Sequence, residues 1–203
     1  MPSFAAFKTS IMKVNSIVFL LPFLALVASC TNSDSAASGS CNSSIPFLET
    51  GKTFTYKSTQ FGFDAGTIKF TVGECNGTGF LVSRKQYTTA GVEQSSATDL
   101  WKQDGDFLLS DSNNNGDYFS KIYKKNAALG DTWNVTRTDG SIVTHEVVDV
   151  DSLITVPAGE FHCKVFKYST TSAINESHIF WVDGIGQIKE DAVFIINELQ
   201  SYN

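Results

Sequence analysis

Among side chains able to do chemistry, the histidines come first. His145, His162 and His178 fall in three separate runs, and none has a carboxylate or a second histidine at metal-ligand spacing. His145-Glu146 lacks the second histidine of a zinc-protease helix and lies in a β-type run. No Gly-x-Ser-x-Gly elbow, phosphate loop or dinucleotide fingerprint occurs. One loop has a ligand-like pattern. In Asp111-Ser112-Asn113-Asn114-Asn115-Gly116-Asp117, the residues Asp111, Asn113 and Asn115 match positions 1, 3 and 5 of a calcium loop and Gly116 matches position 6, with Asp117 completing the run. The twelfth position falls on Ile122, which has no carboxylate, and Asn/Asp runs also build ordinary hairpin turns, so a plain turn is the simpler reading. No metal, cofactor or catalytic residue is expected, and the role expected is non-enzymatic.

The cysteines carry more. Residues 17–28, IVFLLPFLALVA, follow Lys13 and precede Ser29 and Cys30. As a helix this run would cover about 18 Å, against a bilayer core of about 30 Å, so it reads as the apolar region of a signal peptide. Its end, Leu26-Val27-Ala28-Ser29-Cys30, resembles the bacterial lipobox. That resemblance implies cleavage before Cys30, diacylglycerol on its thiol and acylation of the new amino terminus. Two or more acyl chains anchor stably where one holds reversibly. Met12, directly before Lys13, is an alternative start. Three cysteines then remain in an oxidising compartment, so one pair can bridge and one thiol is left over. Cys163 shares the apolar face of its run with Phe161 and Val165 and reads as a buried thiol; Cys41 with Cys75 is the favoured bridge, with Cys75 to Cys163 as the alternative.

The chain has 203 residues, 42% of them hydrophobic and 18% charged, with net charge -6. Losing residues 1–29 removes Lys8 and Lys13 and no acid, leaving 13 basic against 21 acidic side chains. Such a surface repels phosphate backbones, which argues against nucleic acid as a partner. Residues 30–45 are expected to be a lipidated tether, since Thr31 to Ser44 contains no large apolar residue. Fully extended, those residues would span up to about 45 Å. Residues 46–203 then form one domain.

Beyond residue 50, short alternating runs are separated by Gly, Asn and Asp, with no helical period. Thirteen strands are predicted, among them Thr53 to Gln60, Ser141 to Val150, Ser152 to Val156 and Glu160 to Thr170. Asn76-Gly77, Asp104-Gly105, Asp139-Gly140 and Pro157-Ala158-Gly159 mark turns, so consecutive strands should form a meander. Ile68, Phe70 and Val72 alternate with Thr67, Lys69 and Thr71, giving one buried and one wet face. With no helices to cover it, such a sheet buries its apolar face by curling. The expected fold is all-β: about a dozen antiparallel strands in a strongly curved sheet, half-barrel or barrel-like. Trp133 and Trp181 read as core aromatics.

Four phrases recur in order: Leu129-Gly130-Asp131-Thr132-Trp133, Ile154-Thr155-Val156-Pro157-Ala158-Gly159-Glu160-Phe161, Phe180-Trp181-Val182-Asp183-Gly184-Ile185-Gly186-Gln187-Ile188-Lys189 and Glu198-Leu199-Gln200-Ser201-Tyr202. Over about residues 125–203 the chain resembles a broad group of bacterial exported proteins and lipoproteins of unknown function, with Ile188 where valine is usual. The resemblance implies a curved sheet similar to the lipoprotein-carrier half-barrels of the LolA and LolB type, and brings no catalytic residue.

Two functions are in view. The first is a lipoprotein of the bacterial cell envelope, with the outer membrane favoured, held to the membrane through its N-terminal lipid and binding an apolar ligand, a lipid moiety or an envelope partner in its curved sheet. The second is a glycan-binding module or envelope hydrolase presenting Trp101, Tyr118 and Tyr123 to a sugar. The anchor is directly testable. Cys30→Ser should abolish incorporation of radiolabelled palmitate in growing bacterial cells, and undiminished labelling would refute the assignment.

Overall fold

A computed structural model describes residues 41–203 apart from Ser172; the leader 1–29, Cys30 and residues 31–40 of the tether lie outside the described residues. Those described residues contain twelve strands and no helix: β1 (Thr53–Gln60), β2 (Phe63–Cys75), β3 (Phe80–Tyr87), β4 (Glu93–Asp104), β5 (Phe107–Asp111), β6 (Ser120–Lys124), β7 (Thr132–Thr136), β8 (Ile142–Val156), β9 (Gly159–Thr170), β10 (Ala173–Val182), β11 (Gly186–Asp191) and β12 (Ile195–Tyr202). They form one sheet in the order β6-β5-β4-β3-β2-β1-β12-β11-β10-β9-β8-β7, antiparallel throughout.

The first and last strands pair in the middle of this order, from Phe54 opposite Tyr202 to Gln60 opposite Ile195. The two sheet edges are therefore β6 and β7, which are consecutive in the chain. Curling brings these edges together into a nearly closed barrel. At the seam, side chains replace the missing ladder: the Trp133 indole N–H donates to the Lys121 carbonyl at 3.1 Å, the Tyr118 hydroxyl donates to the Thr136 carbonyl, and Phe107 meets Trp133 edge-on at 5.6 Å.

Alternation decides which side chains face inward. Phe54, Tyr56 and Ser58 of β1 are buried, as are Trp133 and Val135 of β7 and Ile188 of β11. On β8, Val143, His145 and Val147 point in at odd positions, yet Val156 is also buried at an even one. The two runs expected as separate strands, Ser141 to Val150 and Ser152 to Val156, are in fact one strand, and the pairing with β9 slips between Val147 and Asp149 and again between Asp149 and Ser152. These bulges change which parity faces inward, and bulges also bend a strand. The bent β8–β9 hairpin reaches across one end of the barrel, where the Ala158 N–H donates to the Leu199 carbonyl of β12 at 2.9 Å.

A second piece seals the same end. Residues 41–45, assigned to the tether from sequence, belong to the folded body: Cys41 is disulfide-bonded to Cys75 with Cα atoms 5.7 Å apart, the Ser44 N–H donates to Gln103 Oε1 at 2.6 Å, and Ile45 is buried. Phe47 follows and packs on Tyr123 and Trp181, with ring centroids at 5.4 and 5.8 Å. Gly186 makes room for it, because a Cβ there would lie 3.3 Å from the Phe47 ring and φ is +114°. Tyr123 stacks on Phe166 and its hydroxyl donates a hydrogen bond to Asp183 at 2.6 Å, and Asp183 is paired in turn with Lys164 at 2.8 Å. This end is closed and densely aromatic.

Removing the Phe47 ring should therefore cost about 3–5 kcal/mol. We expect Phe47→Ala to shift the urea midpoint accordingly, whereas an unchanged midpoint would show that the strap is not part of the core.

Candidate functional site

The other end of the barrel is not filled. Three cavities lie along its inside. A small one of about 50 Å³ is walled by Phe54, Tyr56, Phe70, Trp101 and Trp181, with Phe47 at its floor. A second of about 280 Å³ is lined by Ile122, Val143, His145, Tyr168 and Trp181, with Arg137 at the rim, and shares Ile122, Trp181 and Gln187 with the first. The third, about 430 Å³, lies farther along β1 and β2, past Tyr56 and Phe70, and is polar: Ser58, Gln60, Gln86, Gln94, Glu190 and Asn197 face it. The interior thus grades from aromatic at depth to amide and carboxylate near the mouth.

Local sequence places these groups by parity alone. Ser58 follows Tyr56 by two residues, Glu190 follows Ile188, Asn197 precedes Leu199 and His145 lies between Val143 and Val147, so each polar side chain continues an inward row. The rows meet where the strands do. Asn197 Nδ2 donates to Glu190 Oε2 at 2.9 Å, and the Tyr168 hydroxyl is hydrogen-bonded to Ser177 and interacts with Glu190. The Tyr56 hydroxyl donates to the Gln187 carbonyl at 3.0 Å, and burial, with Glu190 nearby, pushes its pKa well above the ordinary phenol value.

Several polar atoms on these walls have no protein partner: the indole N–H groups of Trp101 and Trp181, Nδ1 of His145 and Oδ1 of Asn197. Trp181, His145 and Asn197 are each more than nine-tenths buried. A buried donor or acceptor left unpaired costs about 1–3 kcal/mol, so walls of this kind are built to meet something that hydrogen-bonds. His145 lies flat on Trp133, with centroids 4.9 Å apart and planes within 5°, and Tyr168 lies beyond it at 6.0 Å. Burial lowers its pKa from 6.5 to about 4, so it is neutral at physiological pH. Deeper in the wall, Asp99 holds a 3.7 Å ion pair with Arg84, and burial raises its carboxyl pKa against the pull of that guanidinium.

The other residues singled out from sequence are placed elsewhere. Asp111 is buried and its carboxylate is taken up by its own loop, accepting the N–H groups of Asn113 at 2.9 Å, Asn115 at 3.1 Å and Gly116 at 2.7 Å. Asn115 Oδ1 accepts from the Asp117 N–H. The four residues form a self-capped turn, and among the described residues no group of three or more His, Cys, Asp or Glu gathers at metal-ligand distance. The sugar platform of Trp101, Tyr118 and Tyr123 does not exist as an outer surface. Tyr123 is fully buried, Trp101 lines the innermost cavity and Tyr118 fastens the seam, because inward parity carries the rings to the core side. His162 is exposed and pairs with Asp151 at 2.7 Å. Cys163 is a free, fully buried thiol that burial pushes up to about 11. Trp133 and Trp181 are buried, and Trp181 is also cavity wall. Reading His145 as an isolated sheet histidine missed its place in that wall; the signal was its parity with Val143 and Val147.

His145 makes a pH prediction. Its folded pKa lies below the unfolded value, so the unfolded chain binds its proton first as pH falls. The stability that His145 supports is complete above about 6.5 and is lost as pH drops toward about 4. We expect the melting temperature to fall across that window and His145→Phe to flatten part of the fall; parallel curves for the two proteins would refute it.

No family profile and no curated protein matches the chain. Two solved structures share its fold. One, described as a "putative exported protein with YmcC-like fold" from Bacteroides fragilis, is 12% identical with a TM-score of 0.53 over 76% of this chain and 96% of its own. The other, described as a "putative lipoprotein" from Parabacteroides distasonis, is 13% identical with a TM-score of 0.51 over 81% of this chain and all of its own. The chain is thus similar in fold to proteins described as exported and as a lipoprotein.

Proposed function

We propose that the protein is a non-enzymatic lipoprotein of the bacterial cell envelope, anchored through Cys30, with the outer membrane favoured, and that its barrel holds an amphipathic ligand. The observation that carries this reading is the unfilled half of the interior: two cavities that share wall residues and are aromatic at depth, a third polar one nearer the mouth, and buried indole, imidazole and amide atoms that no protein group satisfies. An apolar group would lie against Trp181, Phe70 and Tyr56, and a polar head would meet Arg137, Gln86, Asn197 and Glu190. The lipobox resemblance and the descriptions of the two structural neighbours, one as an exported protein and one as a lipoprotein, support an envelope location.

Detergent-free protein should bind the apolar probe N-phenyl-1-naphthylamine saturably, with a rise in probe fluorescence. Ile122→Trp, which fills the space shared by two cavities, should weaken binding about tenfold while leaving the circular dichroism spectrum unchanged. Absence of saturable binding, or equal binding by the variant, would remove the carrier reading.

A further inference from the structure

Strand direction alternates along the meander, so the connections β1–β2, β3–β4, β5–β6, β7–β8, β9–β10 and β11–β12 all lie at the open end of the barrel, opposite the sealed end where Cys41 is tied. Exposed apolar side chains concentrate at four of them. Of the eleven large exposed hydrophobics among the described residues, seven belong to these turns or the strand ends beside them: Phe61, Phe63, Val92, Ile142, Val193, Phe194 and Ile195. Phe63 is 77% exposed and Phe61 62%. The Phe61 and Phe194 rings lie 5.0 Å apart and the Phe61 N–H donates to the Phe194 carbonyl, so two neighbouring hairpins present one aromatic tip. Ile195 belongs both to this tip and to the wall of the polar cavity, which places the apolar rim directly around the mouth.

The backbone marks the tip as more than leftover surface. Phe61 and Gly62 form a two-residue turn with φ values of +51° and +81°. Both central positions of such a turn favour Asn, Asp or Gly, and a phenylalanine is strained there. At this position a ring set against its local backbone preference is left 62% exposed, and what it gains within the isolated fold is its contact with Phe194.

We propose that this rim rests on a lipid bilayer, so that the cavity mouth opens against the membrane. The arrangement favours a bilayer because most of the apolar residues lie along three neighbouring turns, β3–β4, β1–β2 and β11–β12, with Ile142 beside a fourth, and such an arc at one end of the barrel suits a flat apolar layer. The charges beside the first two turns neutralise one another, Lys57 with Asp64 at 3.6 Å and Lys85 with Glu93 at 2.9 Å. Exchange of an amphiphile between bilayer and barrel rests on the carrier reading above; the bilayer contact itself does not.

The test uses residues 30–203, without acylation, which contain the whole sheet and its disulfide. This protein should sediment with vesicles of phosphatidylethanolamine and phosphatidylglycerol. Phe63→Ser with Phe194→Ser should lower the bound fraction about tenfold or more at an unchanged melting temperature. Phe61→Asn should also lower binding while raising the melting temperature, because the strain is relieved and the ring is lost together. Wild-type protein left in the supernatant, variants that sediment as well as wild type, or a rim that instead forms dimers in analytical ultracentrifugation would each overturn the proposal. N-phenyl-1-naphthylamine binding measured on the same samples separates the two ideas: probe binding without vesicle binding refutes the rim alone, and vesicle binding without probe binding refutes the carrier alone.

Discussion

The structure depends on the pairing of its first strand with its last. A meander of twelve one-sided strands has one face that must leave water, and pairing β1 with β12 makes the two halves of the chain continuous as one sheet. Both free edges then belong to β6 and β7, which a short connection already keeps close. Closing the curve is thereafter a matter of side chains, and Trp133, Tyr118 and Phe107 supply it. Edge strands left open invite pairing with other chains; here each edge faces the other.

Closure creates an inside, and the chain treats its two ends differently. At one end the N-terminal strap and the bent β8–β9 hairpin converge on Phe47, Tyr123, Trp181 and Phe166, with the Tyr123 hydroxyl taken up by Asp183 and Asp183 paired with Lys164. The Val-Pro-Ala-Gly-x-Phe phrase has a clear task in this arrangement. It is the tip that reaches β12, and the bulges upstream of it supply the bend. At the other end, polar side chains in inward rows stand beside cavities. The same alternation that packs the closed end leaves Ser58, His145, Glu190 and Asn197 facing the interior, so the site is a continuation of the core with different residue types.

Much of the fold was legible in residue order. Alternation at Ile68, Phe70 and Val72, and turn pairs such as Asn76-Gly77 and Asp104-Gly105, correctly indicated an antiparallel, curved sheet of about a dozen strands. The extra strand break before Ser152 arose because a bulge and a turn both interrupt a period of two; only the pairing partner on β9 tells them apart. Residues 42–44 looked like tether because they are polar, yet Gln103, more than fifty residues away, takes the hydrogen bonds of Ser43 and Ser44. The aromatic residues Trp101, Tyr118 and Tyr123 were misplaced for a related reason, since an aromatic in a strand can face either side until register assigns it.

By itself the sequence determined the secondary structure class, the turn chemistry and the leftover thiol character of Cys163, because those depend on residues adjacent in the chain. Only the tertiary structure decided that β1 pairs with β12, that one end of the barrel is plugged and the other open, and that the unpartnered atoms of Trp181, His145 and Asn197 belong to cavity walls. Those features depend on which distant strands become neighbours, and a period of two carries the face of each residue without its partner.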